Sequence, residues 1–339
     1  HHNRTPSRYP DPNMTNLSPL FCYGVLSDPQ YVDDCDGSNH KKTTIRRHRQ
    51  SLQTLKEASM SFNKHSTACN IILGDILDGK AGHKKIHEKC MQDVLGETVK
   101  HSPNWHFVTG NHDLYCFPRE HLQEKFVPKI HRATMKESNR LYYDFSPHAG
   151  YRFVILDGFD VSELSASSPE HEAHAKALLT AKNPNYAAGL DDWYAGLSPY
   201  DTRFCQSNGA IGAEQLRWLE TTLQASLDAD EKCIICCHIP TYEPSTRPDT
   251  MLWNAEEVLA LLHSFPNVVA YMAGHDHSGG YAQDSAGIHH IVPPAPLECA
   301  EGEVSYGTIE VFESHLKMHW TGKVPTETVW PSLLPMRLI

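Results

Sequence analysis

Five short segments carry side chains of the kinds that bind metal ions. They are Asp28-Pro29-Gln30, Gly74-Asp75-Ile76-Leu77-Asp78-Gly79, Gly110-Asn111-His112-Asp113, His238 and Gly274-His275-Asp276-His277. Together they offer carboxylate and amide oxygens with imidazole nitrogens. That mixture suits Mn²⁺, Fe or Zn²⁺ better than the all-oxygen shell of Ca²⁺. A carboxylate such as Asp75 can give one oxygen to each of two cations and hold them about 3.5–4 Å apart. Asn111 offers a neutral carbonyl oxygen, which limits negative charge where an anionic substrate must approach. His275 and His277 are two apart, so on an extended segment they point the same way and can serve neighbouring ions. Taken singly, each motif has a plainer reading: Gly-Asp-x-x-Asp-Gly is usually a turn, and His-Ile-Pro usually a strand end. Their joint occurrence, in order and each after an apolar strand, points to metal-assisted hydrolysis of a phosphoester or phosphoanhydride.

The elements that must position these groups are legible from periodicity. Phe21–Leu26, Cys69–Leu73, Trp105–Val108, Lys232–Cys237 and Val268–Met272 are apolar runs, each delivering its end to one of the five loops. Helices are expected from Ile45 to Phe62, Lys84 to Val99, Gly212 to Leu227 and Ala255 to His263. Leu141–Phe145 and Tyr151–Leu156 read as an antiparallel pair. Ile288–Val292, Ser305–Phe312 and His315–Trp320 read as closing strands. The alternation argues for an α/β fold whose strands feed a common edge, where such sheets build sites. The stretch 161–207 has little periodicity beyond a short helix near 170–180, and loops this long tend to be functional.

Composition narrows the classes. The 339 residues are 40% hydrophobic and 21% charged, as in an ordinary globular protein. A net charge of −11 argues against nucleic acid as a partner. No apolar run reaches the roughly 18 residues of a membrane helix. Ten scattered cysteines fit buried thiols in a reducing compartment, so a cytoplasmic location is expected. Residues 1–20 read as a disordered leader, 21–328 as one domain and 329–339 as a C-terminal tail.

The ordered set Asp-x-Gln, Gly-Asp-x-x-Asp-Gly, Gly-Asn-His-Asp, His and Gly-His-x-His resembles the signature of the calcineurin-like metallophosphoesterases. The resemblance implies a four-layer fold, a double β-sandwich flanked by helices, with two metals. It assigns Asp28, Gln30, Asp75 and His277 to one ion, and Asp75, Asn111, His238 and His275 to the other. Gln30 stands where the family more commonly has His, which favours Mn²⁺ or Mg²⁺. Asp-x-Gln-Tyr is typical of one branch, the manganese-dependent ADP-ribose/CDP-alcohol diphosphatases. Asn208-Gly209, Gln215-Leu216-x-Trp218-Leu219 and Leu252-Trp253-Asn254 also look like that branch.

The branch implies a small-molecule nucleotide substrate: ADP-ribose, CDP-choline or CDP-glycerol, cleaved to a nucleoside monophosphate and a phosphorylated partner. The expected reaction is direct hydrolysis by a hydroxide bridging the metals. His112 would donate a proton to the leaving oxygen or stabilise it, with Asp78 or Asp113 orienting its ring. Three positions are expected to touch substrate. His40 and Thr250 stand where the branch often has an aromatic residue and commonly has Cys. Arg49 is the member of the basic run Lys41-Lys42…Arg46-Arg47-His48-Arg49 that fits the family best. The alternatives are a cyclic-nucleotide phosphodiesterase, a phosphomonoesterase and a non-catalytic scaffold.

Overall fold

The computed structural model describes residues 18–39, 42–102, 104–133 and 139–337. Most of the expected leader, and His40, lie outside the described residues. Fourteen strands are described: β1 (Phe21–Leu26), β2 (Gly37–Ser38), β3 (Ile45–Arg46), β4 (Cys69–Ile72), β5 (Trp105–Phe107), β6 (Tyr143–His148), β7 (Tyr151–Ile155), β8 (Lys232–Cys236), β9 (Val268–Met272), β10 (Gly280–Gln283), β11 (His289–Val292), β12 (Ser305–Val311), β13 (His315–Gly322) and β14 (Leu333–Pro335). The helices are α1 (His48–Lys64), α2 (Gly79–His83), α3 (His87–His101), α4 (Asn111–Cys116), α5 (Arg119–Phe126), α6 (Lys129–Arg132), α7 (Pro169–Lys182), α8 (Pro184–Ala187), α9 (Ala213–Asp228) and α10 (Ala255–His263).

Two six-stranded sheets form, in the orders β14-β13-β12-β1-β4-β5 and β10-β11-β9-β8-β7-β6. They share one apolar core. Tyr23 of β1 meets Phe153 of β7 edge to face at 5.0 Å, and its hydroxyl lies 3.5 Å from the Met272 sulfur of β9. Helix α1 buries Leu55, Ala58 and Phe62 over the first sheet, while α9 buries Leu219 and Leu223 over the second. This is the helix–sheet–sheet–helix layering expected of the fold. All ten cysteines are free thiols, and eight are buried. Among the described residues, no helix is long and apolar enough to cross a membrane.

The topology decides where the chemistry goes. Strands β1, β4 and β5 run parallel, as do β7, β8 and β9. Loops leaving their C-terminal ends therefore meet along one edge. Three departures from the sequence reading matter. Ile45 and Arg46 are not helical but pair with Gly37–Ser38 as a small ribbon, and α1 begins at His48. Residues after Asn111 turn into three short helices that periodicity did not disclose. The expected C-terminal tail contributes a strand, β14, which pairs with β13. Beyond it Arg337 donates to the carbonyls of Ala286, Phe265 and Val268.

Candidate metal centre

The loop after β1 is pinned to the loop after β4. The amides of Asp28, Gln30 and Tyr31 donate to the carbonyls of Gly74, Asp75 and Ile76. Asp28, Gln30, Asp75 and His275 all adopt left-handed backbone conformations, with φ of 48°, 40°, 53° and 68°. Each is a strained choice for a residue with a side chain, and such strain clusters where a site over-determines the backbone. Gly110 shows how close these loops run: a Cβ there would stand 2.1 Å from Asp75 Oδ1. Asp113, fully buried, accepts from the amides of Gly110, Asp75 and Ile76 at 2.9–3.0 Å. It braces loops rather than orienting His112. Burial and the nearby Asp75 carboxylate push its carboxyl up to about 7.

The structure brings Asp28, Gln30, Asp75, Asn111, His238, His275 and His277 together around Asp75. Ligand atoms of Asp75, His238 and His275 lie within 4.8 Å of one another, and so do those of Asp28, Asp75 and His277. Asn111 Oδ1 stands 3.3 Å from His238 Nε2. The Gln30 amide end lies 2.8 Å from Asp75 Oδ2 and 2.9 Å from His277 Nε2. Two three-residue groups sharing one carboxylate, flanked by Asn111 and Gln30, have the shape of a dinuclear site.

Hydrogen bonds set each imidazole. His238 Nδ1 donates to the Leu73 carbonyl at 2.8 Å, so Nε2 is the nitrogen turned to the cluster. His277 Nδ1 donates to Glu298 at 2.8 Å, which leaves its Nε2 facing Asp28 at 3.6 Å. Asn208 turns both amide protons to the carbonyls of Arg203 and Asp249, each at 2.9 Å. Its Oδ1 must then accept from His275 Nε2 at 2.7 Å, leaving Nδ1 as that ring's lone pair. Such outer partners fix tautomer and raise ligand basicity. Glu298 had no signal in the sequence, and Asn208 appeared there only within the resemblance. The residue that follows the long 161–207 excursion thus holds a site histidine.

Charge in the cluster calls for cations. Burial opposes a charge on His238, yet Asp75, then Asp28, lifts its imidazole to about 9. Burial likewise opposes a charge on His277, and Asp28 and Glu298 lift it to about 9. Burial and the neighbouring His238 drive His275 well below the ordinary histidine range. Protons here stand in for positive charge that the carboxylates demand. Gln30 Oε1 is buried without a partner. An orphaned amide oxygen beside two carboxylates and an imidazole fits a bound divalent ion. We expect Glu298→Gln to weaken Mn²⁺ binding about 10- to 100-fold in a calorimetric titration; unchanged affinity would remove the role given to Glu298.

The other expected site residues fall differently. His112 lies at the rim: its amide donates to Asp75 Oδ1 at 2.8 Å, and its Nδ1 accepts from the Gly79 amide at 3.0 Å. Its Nε2 is therefore the ring's N–H donor. Asp78 caps α2 by accepting from the Lys80 amide at 2.9 Å, and its other oxygen stands 3.6 Å from His112 Nδ1. Arg49 is exposed and pairs with Asp33 at 2.9 Å, because α1 turns it to solvent. Arg46 reaches the centre instead, binding Glu298 at 3.0 Å from the β2–β3 ribbon. Thr250 spends its hydroxyl on Thr246 and the Arg247 carbonyl, both at 2.7 Å, so it braces a turn.

A family model for the calcineurin-like phosphoesterases matches residues 23–279. A rice protein named manganese-dependent ADP-ribose/CDP-alcohol diphosphatase is 38% identical over 315 residues, covering 92% of this chain and 94% of its own. A human protein of the same name is 33% identical over 318 residues, covering 90% and 91%. The crystal structure of a dimetal phosphatase from Danio rerio superposes with a TM-score of 0.85 at 30% identity, covering 94% of this chain and all of that one. Sequence and fold agree across nearly the whole length, and the chain belongs to the calcineurin-like phosphoesterase family.

Proposed function

We propose that this chain is a manganese-dependent hydrolase of pyrophosphate-linked nucleotides such as ADP-ribose, CDP-choline and CDP-glycerol. The products are a nucleoside monophosphate and a phosphorylated partner. The observation that carries the metal chemistry is the pair of ligand groups sharing Asp75. The substrate class rests on the named relatives in rice and human.

Asp28, Gln30, Asp75 and His277 would hold one ion; Asp75, Asn111, His238 and His275 would hold the other. Bound there, two divalent cations supply Lewis-acid charge and lower the pKa of water. The chain's own groups do the rest. Asn208, Leu73 and Glu298 present the three imidazoles with the correct lone pair. His112 offers its Nε2 proton to oxygen charge developing on the leaving side. The Gly79 amide holds that ring, and Asp78 caps the helix that begins with that amide.

Mass spectrometry of products after incubation with Mn²⁺ and ADP-ribose, CDP-choline or cyclic AMP tests the substrate class. AMP with ribose 5-phosphate, and CMP with phosphocholine, are the expected pairs. Turnover of cyclic AMP with none of the pyrophosphates would overturn the proposal in favour of a phosphodiesterase.

A further inference from the structure

Beside the metal centre lies a cavity of about 240 Å³. His112 is the shared wall: its amide binds Asp75, while its ring borders the cavity with Tyr115. Three basic side chains also line it, and they come from two separate elements. Arg46 enters from the β2–β3 ribbon, and Lys80 and His83 from one face of α2.

Lys80 is the unusual member. Its ammonium donates to His48 Nε2 at 2.9 Å, and the far nitrogen of that ring stands 3.2 Å from the Gln30 carbonyl. His48 is thus a neutral relay that spends one of the three ammonium protons. Among the described residues, no carboxylate forms an ion pair with Lys80. The chain nevertheless keeps room for this group. A Cβ on Gly37 would fall 2.4 Å from Lys80 Nζ, so the ribbon passes over the ammonium at a residue with no side chain. Arg46 is anchored through Nε on Glu298, with one outer nitrogen 3.3 Å from His277 Nδ1, and it also lines the cavity. The one acidic lining residue, Asp78, is occupied by the Lys80 amide and faces His112. A half-buried ammonium held in place without a counter-charge is a waiting anion site.

We propose that Lys80, with Arg46 and His83, forms an anion subsite for the second phosphate of the substrate, the one that departs. This rests on the pyrophosphatase reading above. With one phosphorus at the Asp75 cluster, the neighbouring phosphate must lie to one side. The side bearing three basic groups and the His112 ring is this cavity. Its cations stabilise the departing phosphate as charge builds on it, and they reward substrates that carry two phosphates over those that carry one.

The test compares ADP-ribose with bis(4-nitrophenyl) phosphate, a diester lacking the second phosphate, on the Mn²⁺-loaded full chain. Lys80→Met is expected to lower kcat/KM for ADP-ribose about 10- to 100-fold. For bis(4-nitrophenyl) phosphate it should fall by no more than about threefold, and Lys80→Arg should recover part of the ADP-ribose loss. Equal losses on both substrates, or none on ADP-ribose, would overturn the subsite. Should Lys80→Met fail to fold, His83→Gln carries the same comparison with a smaller selective loss. A wild type that splits bis(4-nitrophenyl) phosphate but no pyrophosphate would refute the underlying reading and the subsite together. A wild type active on ADP-ribose with uniform Lys80→Met losses would refute the subsite alone.

Discussion

Asp75→Ala is expected to lower kcat/KM for ADP-ribose by about four orders of magnitude or more. Asp75 is the only residue common to both ligand groups, so its loss disturbs both ions at once. Metal charge on a phosphoryl group is worth several kcal/mol in the transition state, and each 1.36 kcal/mol is about tenfold in rate. Its carboxylate also accepts the His112 amide at 2.8 Å, so the variant loosens the rim as well. The fold should survive, because Asp113 still clamps the loop amides. Metal analysis should show fewer than two bound Mn²⁺ per chain, and circular dichroism an unchanged fold. Activity within tenfold of wild type would refute the shared-ligand assignment.

The second large effect falls on His112. His112→Ala should reduce kcat for ADP-ribose about 10²- to 10⁴-fold while leaving Mn²⁺ stoichiometry intact. The backbone amide that binds Asp75 is retained in the variant, so a metal defect is not expected. The Gly79 amide points at Nδ1, which makes Nε2 a neutral N–H donor. A donor of that kind works by hydrogen bonding to oxygen charge. The fold-loss should therefore be the same at pH 7 and pH 9, and smaller for substrates with good leaving groups. Loss of bound Mn²⁺ in step with activity would reassign His112 to metal retention. An effect that vanished at pH 9 would reassign it to a proton-donating acid.

The legible part of the molecule was the part with a local pattern. Apolar runs ending in Gly-Asp, Gly-Asn-His or Gly-His-Asp-His declare both strand and site, because parallel strands put their C-terminal loops on one edge. What escaped lacks such a pattern. Arg46 looked helical by spacing, but pairing with Gly37–Ser38 fixes it as a strand, and that two-residue partner has no hydrophobic signature. Glu298 lies 21 residues beyond its partner His277, in a turn, so only the fold brings them to 2.8 Å. Arg49 was a reasonable substrate contact by type, yet its place in the first turn of α1 points it to Asp33 and solvent. Asp113 sits beside His112 in sequence, but its side chain turns inward to collect backbone amides that a sequence cannot locate. Strand β14 is three residues long, too short for periodicity to separate from a tail.

Diffraction from crystals grown with Mn²⁺, recorded on both sides of the manganese absorption edge, addresses the dinuclear assignment without recourse to kinetics. Two anomalous peaks should appear, both against the Asp75 carboxylate. One should be shared with Asp28, Gln30 and His277, and the other with Asn111, His238 and His275. No peak at Asp75, or manganese bound only elsewhere on the chain, would contradict the account.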